Sequence, residues 1–339
     1  MVARLKLVTN RHWPSFRNVA LTIGNSLQPY YESKICDFSS VKPGGKMLCI
    51  GTADKITLKS IRRLLPESEI VFYATTEGHV RLDKTDLQTS DRLTIVAVSK
   101  FVRDKLQEIG VHVDGVIHHA IDMNDRTVDV DFYRRLRMKF GHRKVILTVS
   151  ANHLRKGLSK LLRAQKDIER QDPGGPFLIV HSQRDGYYDL QERARTLGLK
   201  ELWLTNNFGT MTEARLRSLY RLCTIYVQPS YSEGFGLPIL EAFRFNKPVV
   251  AVHAPPFDEI IKNENTGILF PSNGITWKTS AEADVNLEIH EYSPNDLTNA
   301  ISNLTSDPEL LAKMEHEVDK AKWTWDAKAV YPKFLDYFS

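Results

Sequence analysis

The sequence predicts an α/β protein of two doubly wound parallel-sheet domains that face a central cleft. Three observations predict it. Short β-branched or apolar runs alternate with amphipathic stretches along the chain, the pattern of a parallel sheet covered by helices. This rhythm breaks once, at a polar and charged stretch over residues 122–144, and then restarts. The length, 339 residues, suits two domains of ordinary size.

The elements follow in order. Strands are predicted at residues 4–9, 46–50, 69–74, 93–98 and 113–118, with helices at 55–65 and 100–109. Residues 10–18, NRHWPSFRN, read as a loop after the first strand. The break at 122–144 carries one basic helix, 132–140. The alternation then resumes with strands at 144–149, 177–181, 201–204, 224–228 and 248–252. Helices at 157–170, 187–197, 212–222 and 238–245 separate them. Residues 274–292 are polar and lack periodicity, so they read as a surface loop. The expected domains are 1–122 and 144–322, with 123–143 as linker. In such sheets ligands bind at the carboxyl ends of strands, which directs attention to the loops that follow them.

Composition narrows the function. Hydrophobic residues make up 42% and charged residues 26%, enough for a core that needs no disulfide or metal staple. The net charge of +5 suits a phosphorylated or anionic ligand, but it is too small and dispersed to argue for nucleic acid. Cys36, Cys49 and Cys223 show no CxxC spacing and read as free thiols in a reducing compartment. The apolar run at the N-terminus is too short for a signal peptide, and no run approaches the ~20 residues of a membrane span. The expectation is a cytoplasmic protein, with peripheral contact at the inner membrane face as its furthest reach. The basic segment 133–144, YRRLRMKFGHRK, reads as a solvated linker helix in preference to a patch for an anionic membrane. No His, Asp, Glu or Cys group has metal-ligand spacing.

The chemistry concentrates in residues 230–241, SYSEGFGLPILE. The segment follows an apolar strand and runs into a helix. Pro238 suits the first helical position, where its missing N–H costs nothing. Gly234 and Gly236 let the backbone turn tightly and come close to a ligand. The helix start presents free N–H groups, an electropositive end suited to phosphate. Glu233 lies in the loop and Glu241 about one turn into the helix. A carboxylate at the second position can accept from ribose hydroxyls, and one in the loop can hold sugar hydroxyls.

Glu233-x7-Glu241 around a GFGLP core resembles the signature of retaining glycosyltransferases of the GT-B fold, family 4 (glycosyl transferases group 1). Asn246-Lys247-Pro248-Val249-Val250-Ala251 resembles the family's "GTPVVA" strand. Glu259-Ile260 with Asn265-Thr266-Gly267-Ile268-Leu269 is similar to its "EI…TGLLV" stretch, residues 116–122 to its "VIPNGVD", and residues 149–157, VSANHLRKG, to its "VGRLxxxKG". Trp323-Thr324-Trp325 is similar to its "FSW" end, which implies that a helix over about 325–339 packs back onto the first domain. Two positions depart from the pattern. Ala151 stands where the family has arginine, and no glycine-rich loop follows the first strand.

The resemblance implies a two-domain GT-B enzyme of the hexosyltransferase class that moves a sugar from a UDP- or GDP-linked donor to an acceptor hydroxyl. The acceptor would be a glycan, a lipid-linked or a small molecule, and neither a cofactor nor a metal is implied. It gives Glu241 the donor ribose. Glu233 and the backbone of Gly234, Phe235, Gly236 and Leu237 take the transferred sugar and diphosphate. Lys156 would neutralise the leaving diphosphate, with Arg155 supplying the charge lost at Ala151. Asn207, Phe208 and Gly209 resemble the loop beside the base. His79 is the candidate for a histidine that touches the donor sugar. A non-catalytic nucleotide- or glycan-binding protein on a degenerate scaffold is the alternative, and a GT-B epimerase a third reading.

Overall fold

In the computed structural model, which describes residues 3–10, 13–81, 92–280 and 285–338, two six-stranded parallel sheets form two lobes, and a three-stranded antiparallel sheet ties them together. The first lobe holds β1 (Ala3–Thr9), β2 (Tyr31–Asp37), β3 (Gly45–Thr52) and β4 (Ser68–Thr75). After the short strand β5 (Gly78–Val80) come β6 (Leu93–Ala97) and β7 (Gly115–Val116), and the sheet order is β2-β1-β3-β4-β6-β7. Its helices are α1 (Pro14–Leu27), α2 (Lys55–Leu64) and α3 (Lys100–Glu108), and α4 (Val130–Phe140) leads out of it. The second lobe holds β8 (Val145–Val149), β9 (Phe177–His181), β10 (Leu202–Leu204), β11 (Ile225–Gln228), β12 (Val249–Val252) and β13 (Gly267–Phe270), in the order β10-β9-β8-β11-β12-β13. Its helices are α5 (Leu158–Gln171), α6 (Leu190–Leu197), α7 (Glu213–Leu222), α8 (Leu237–Arg244), the short α9 (Phe257–Ile260), α10 (Pro294–Ser306) and α11 (Pro308–Ala321).

The sequence dictates these elements locally. Every residue of β8, β9, β11 and β12 is buried, because helices cover both faces of a parallel sheet. On α5, Leu158, Leu161, Leu162, Gln165 and Ile168 form one buried stripe at helical spacing. Asp54, Ser99, Asp129, Asp189 and Thr212 each accept from the N–H three residues on, which sets where α2, α3, α4, α6 and α7 begin.

The structure corrects three expectations. Residues 14–18 of the expected first loop are helix, since Pro14 opens α1 and its Val19, Ala20, Ile23 and Leu27 pack on the sheet. Arg11 and His12 lie outside the described residues. The edge strand β2, YESKICD, went unrecognised because its charged residues hide its pattern. Residues 274–292 are not a loop. They contain β14 (Ile275–Ser280) and β15 (Val285–His290), an antiparallel pair, with residues 281–284 outside the description. Val285 and Ile289 are buried on one face, while polar residues and Trp277 fill the other, and that second face masked the alternation. β15 also pairs with β5 of the first lobe, Val80 with Val285 and His79 with Asn286.

The chain ends on the first lobe. A 3₁₀ turn Lys322–Trp325, α12 (Ala327–Val330) and a further 3₁₀ run, Tyr331–Tyr337, cross back to it. The Tyr331 hydroxyl donates to the Ala120 carbonyl at 2.9 Å and accepts from its N–H at 3.0 Å, and Phe334 meets Tyr73 edge-on at 5.0 Å. Among the described residues, no helix is long and apolar enough to cross a membrane. α4 is capped by Asp129, with Arg134 paired to Asp131 on its exposed side.

Candidate active site

The second sheet reverses its winding between β8 and β11: β9 and β10 extend one way from β8, and β12 and β13 the other way from β11. The loops leaving these two neighbours therefore part, and a crevice opens at their carboxyl ends. Residues 150–157 follow β8 and carry Arg155 and Lys156. Residues 229–236 follow β11 and carry Glu233.

These three residues meet. Glu233 Oε1 accepts from Lys156 Nζ at 2.5 Å, and Glu233 Oε2 accepts from Arg155 Nη1 at 2.7 Å. Oε1 also accepts from Ser230 Oγ at 2.7 Å and Gln228 Nε2 at 3.0 Å. Burial alone would raise the Glu233 pKa, but Lys156 and Arg155 outweigh it and hold the carboxyl down at about 2. Burial, and then the neighbouring Arg155, lowers the Lys156 pKa. A carboxylate that already takes four donors is ionised and a poor base or nucleophile.

The second partner of Arg155 was not anticipated from sequence. Its Nη2 donates to Glu77 Oε1 at 2.8 Å, across from the first lobe. Glu77 follows the carboxyl end of β4, two residues before His79, and the same positional logic that singled out His79 applies to it. Its backbone carbonyl takes the Ser232 hydroxyl at 2.6 Å. His79 joins a different group. Its Nε2 lies 2.5 Å from Glu108 Oε2 on α3, and its ring sits 4.4 Å from Trp277 on β14.

Gly236 begins α8 at φ +117°, a backbone that side-chain-bearing residues rarely adopt. A Cβ at Gly234 would collide with Thr75 Oγ1, so a glycine is needed where the first lobe presses on this loop. The Gly234 carbonyl also accepts from Ser99 Oγ at 2.8 Å. The Phe235 side chain points into the junction between lobes, near the rings of His119 at 5.3 Å and His118 at 5.9 Å. His118 in turn pairs with Glu259 at 2.8 Å, and Glu259 caps α3 by accepting from Lys100 N and Phe101 N, both at 2.9 Å. Both histidines thus serve the junction.

Glu241 sits on α8, half-buried, and accepts from Tyr220 Oη at 2.6 Å. Burial raises its pKa, and the Tyr220 hydrogen bond only partly opposes this. Past β10, Asn207 bridges Gln183, and Phe208 lies 5.5 Å from the His181 ring. Asn207 Oδ1 and the nearby Ser182 Oγ are buried with no hydrogen-bond partner among the described residues. Gly209 is exposed at φ +79°. Since the strands are parallel, this unsatisfied polar pair lies at the same edge of the sheet as Glu233.

Comparison with known proteins agrees with this layout. The family model described as Glycosyl transferases group 1 matches residues 129–288, just under half of the chain. An uncharacterized glycosyltransferase (335) of Sulfolobus islandicus rod-shaped virus 1 is 23% identical over 278 residues, 78% of this chain and 79% of that protein. A D-inositol 3-phosphate glycosyltransferase of Corynebacterium aurimucosum is 25% identical over 288 residues, 80% of this chain and 61% of that protein. Among solved structures, sucrose-phosphate synthase from Thermosynechococcus elongatus superposes with TM-score 0.75 at 15% identity, covering 99% of this chain and 98% of that one. Anabaena Alr3699/HepE in complex with UDP and glucose superposes with TM-score 0.73 at 15% identity, covering 98% of both chains.

Proposed function

We propose that this GT-B-fold chain is a group 1 glycosyltransferase that moves a hexose from a UDP- or GDP-linked donor to an acceptor hydroxyl, with retention at the anomeric carbon and without a bound metal ion. The observation that carries this reading is the Arg155–Glu233–Lys156 cluster at the switch point of the second sheet. A departing nucleoside diphosphate develops negative charge. Lys156 and the N-terminus of α8 would meet it, preorganised in a site already dry enough to shift pKa values. Glu233 holds both cations in place. Unpartnered Asn207 Oδ1 and Ser182 Oγ suit the polar edge of a base, and Glu241 suits ribose hydroxyls once Tyr220 shares it.

Glu233 is engaged by four donors, so it is not free to attack the sugar. A front-face transfer fits this better. The bond from the anomeric carbon to phosphate oxygen breaks, and the acceptor oxygen bonds on the same face. The acceptor proton passes to that phosphate oxygen as the nucleoside diphosphate leaves. The reading places the enzyme in the cytoplasm, where nucleotide sugars are made, with a glycan, lipid-linked or small-molecule acceptor.

A thermal-shift screen of UDP-, GDP- and ADP-sugars tests the donor. A sugar present at 100 times its Kd should stabilise by about 2.7 kcal/mol. Glu241→Ala should weaken donor binding at least tenfold, about 1.4 kcal/mol, with the fold retained by circular dichroism. An unchanged donor Kd would remove Glu241 from the ribose, and an inverted product anomer by NMR would remove the front-face route. Glu77 competes with phosphate for Arg155. Glu77→Gln is therefore expected to tighten binding of the nucleoside diphosphate product severalfold by calorimetry and to slow its release. Equal or weaker product binding would mean that Glu77 only anchors its loop.

A further inference from the structure

The β14–β15 hairpin places an aromatic side chain beside the reaction centre that donor binding does not use. Glu77, Glu288 and Trp277 lie on one line across three antiparallel strands. The Glu288 N–H donates to the Glu77 carbonyl at 3.3 Å, and Glu288 pairs with Trp277. Strands sit about 4.8 Å apart, so the Trp277 backbone lies about 10 Å from that of Glu77. Paired residues share a face, which puts Trp277, Asn286, Thr279 and His79 on the face that also carries Glu77.

That face combines one flat apolar surface with hydrogen-bonding groups. Trp277 is 48% exposed and packs against His79. Lys105 Nζ lies 5.7 Å from the Trp277 ring and donates to Glu288 at 2.8 Å and Glu108 at 2.9 Å. Glu108 remains partly exposed, and Asn286 Oδ1 accepts from Thr279 at 3.0 Å. On the opposite face Val285 and Ile289 of β15 are buried, while Thr276 and Lys278 of β14 are exposed. On the Trp277 face Glu288 and His290 are buried, so its open part is the side around the exposed indole, rimmed by donors and acceptors. Such a surface matches a pyranose, whose C–H face is apolar and whose hydroxyls project from its edge. It runs continuously into the cluster through Glu77, whose carboxylate touches Arg155.

We infer that this face is an acceptor subsite, in which Trp277 stacks on a sugar ring of a glycan acceptor while His79, Glu108 and Asn286 address its hydroxyls. This rests on the glycosyl-transfer reading above and extends it to the acceptor side. A positively charged lipid-binding patch does not fit, since Lys105 is already committed to Glu288 and Glu108.

The test separates the two readings. Donor Kd and acceptor-independent hydrolysis of UDP-glucose or GDP-mannose are measured first, then transfer to methyl α-glucoside, methyl α-mannoside, methyl α-galactoside and maltose. If wild type neither binds nor hydrolyses a donor, the transfer reading itself fails. If it does, Trp277→Ala is expected to raise the half-saturating acceptor concentration at least tenfold while donor Kd and hydrolysis stay within twofold. Trp277→Phe, which keeps an aromatic face and the hairpin packing, should fall between. An unchanged acceptor dependence overturns the subsite. So does saturation of wild type by none of the four glycosides. A parallel loss of donor and acceptor binding in both variants also overturns it, because it would show that Trp277 merely holds the hairpin across the lobes.

Discussion

Lys156→Met is expected to lower kcat by about 10²- to 10³-fold, the usual cost of removing one preorganised group from a developing anion. Lys156 is the cation with a single carboxylate partner in its cluster, Glu233, whereas Arg155 is divided between Glu233, Glu77 and the Ser232 carbonyl. Its burial and the adjacent Arg155 both disfavour its charge, so the ammonium gains most when a diphosphate arrives. The variant should fold, because Glu233 keeps Arg155, Ser230 and Gln228. Lys156→Arg should not restore the rate, since a planar fork cannot replace a point charge in that space. Steady-state transfer rates with a saturating donor check this. A kcat within threefold of wild type would move leaving-group stabilisation elsewhere.

Glu233→Ala is expected to destabilise the fold by about 3 kcal/mol, because it leaves the half-buried Lys156 without its carboxylate partner and Arg155 with Glu77 as its remaining one. The same carboxylate makes stability depend on acid. Its folded pKa is about 2 against an ordinary 4.5, so it binds fewer protons folded than unfolded near pH 3. Its contribution is complete above pH 4.5 and is lost as pH falls through about 2. Glu288, also held at about 2 through its partners His290 and Lys105 against the cost of burial, acts with the same sign over the same window. Urea midpoints between pH 7 and pH 3 should therefore fall in wild type. Glu233→Gln should flatten that slope without abolishing it, since Glu288 remains. An equal slope in the variant would show that Glu233 keeps an ordinary pKa.

The proposed donor half of this site was legible in sequence because its parts are local. A strand, a glycine-turned loop and a helix start lie consecutively in residues 225–244, and turn chemistry plus capping set their geometry without help from elsewhere. Lys156 was legible for the same reason, at the end of another strand. Phe235 shows the limit of local reading. Its place in the loop was evident, but not that its side chain fills the lobe junction.

What only the tertiary structure decided depends on partners far apart in the chain. Arg155 and Glu77 are 78 residues apart, and nothing in either neighbourhood selects that pair among the chain's many carboxylates. His79 and Glu77 both follow β4. They share one face of the small sheet, yet His79 meets Glu108 on α3 and Trp277 on the hairpin while Glu77 reaches Arg155. The hairpin itself was hidden because a strand buried on one face reveals itself only when the other face is discounted, and that face is polar for its own reasons. The sequence by itself determined the two-sheet architecture and the loop–helix segment that carries Glu233 and Glu241. The structure decided which charges meet across the cleft, because an ion pair is set by how two lobes dock, and docking is written in no single segment.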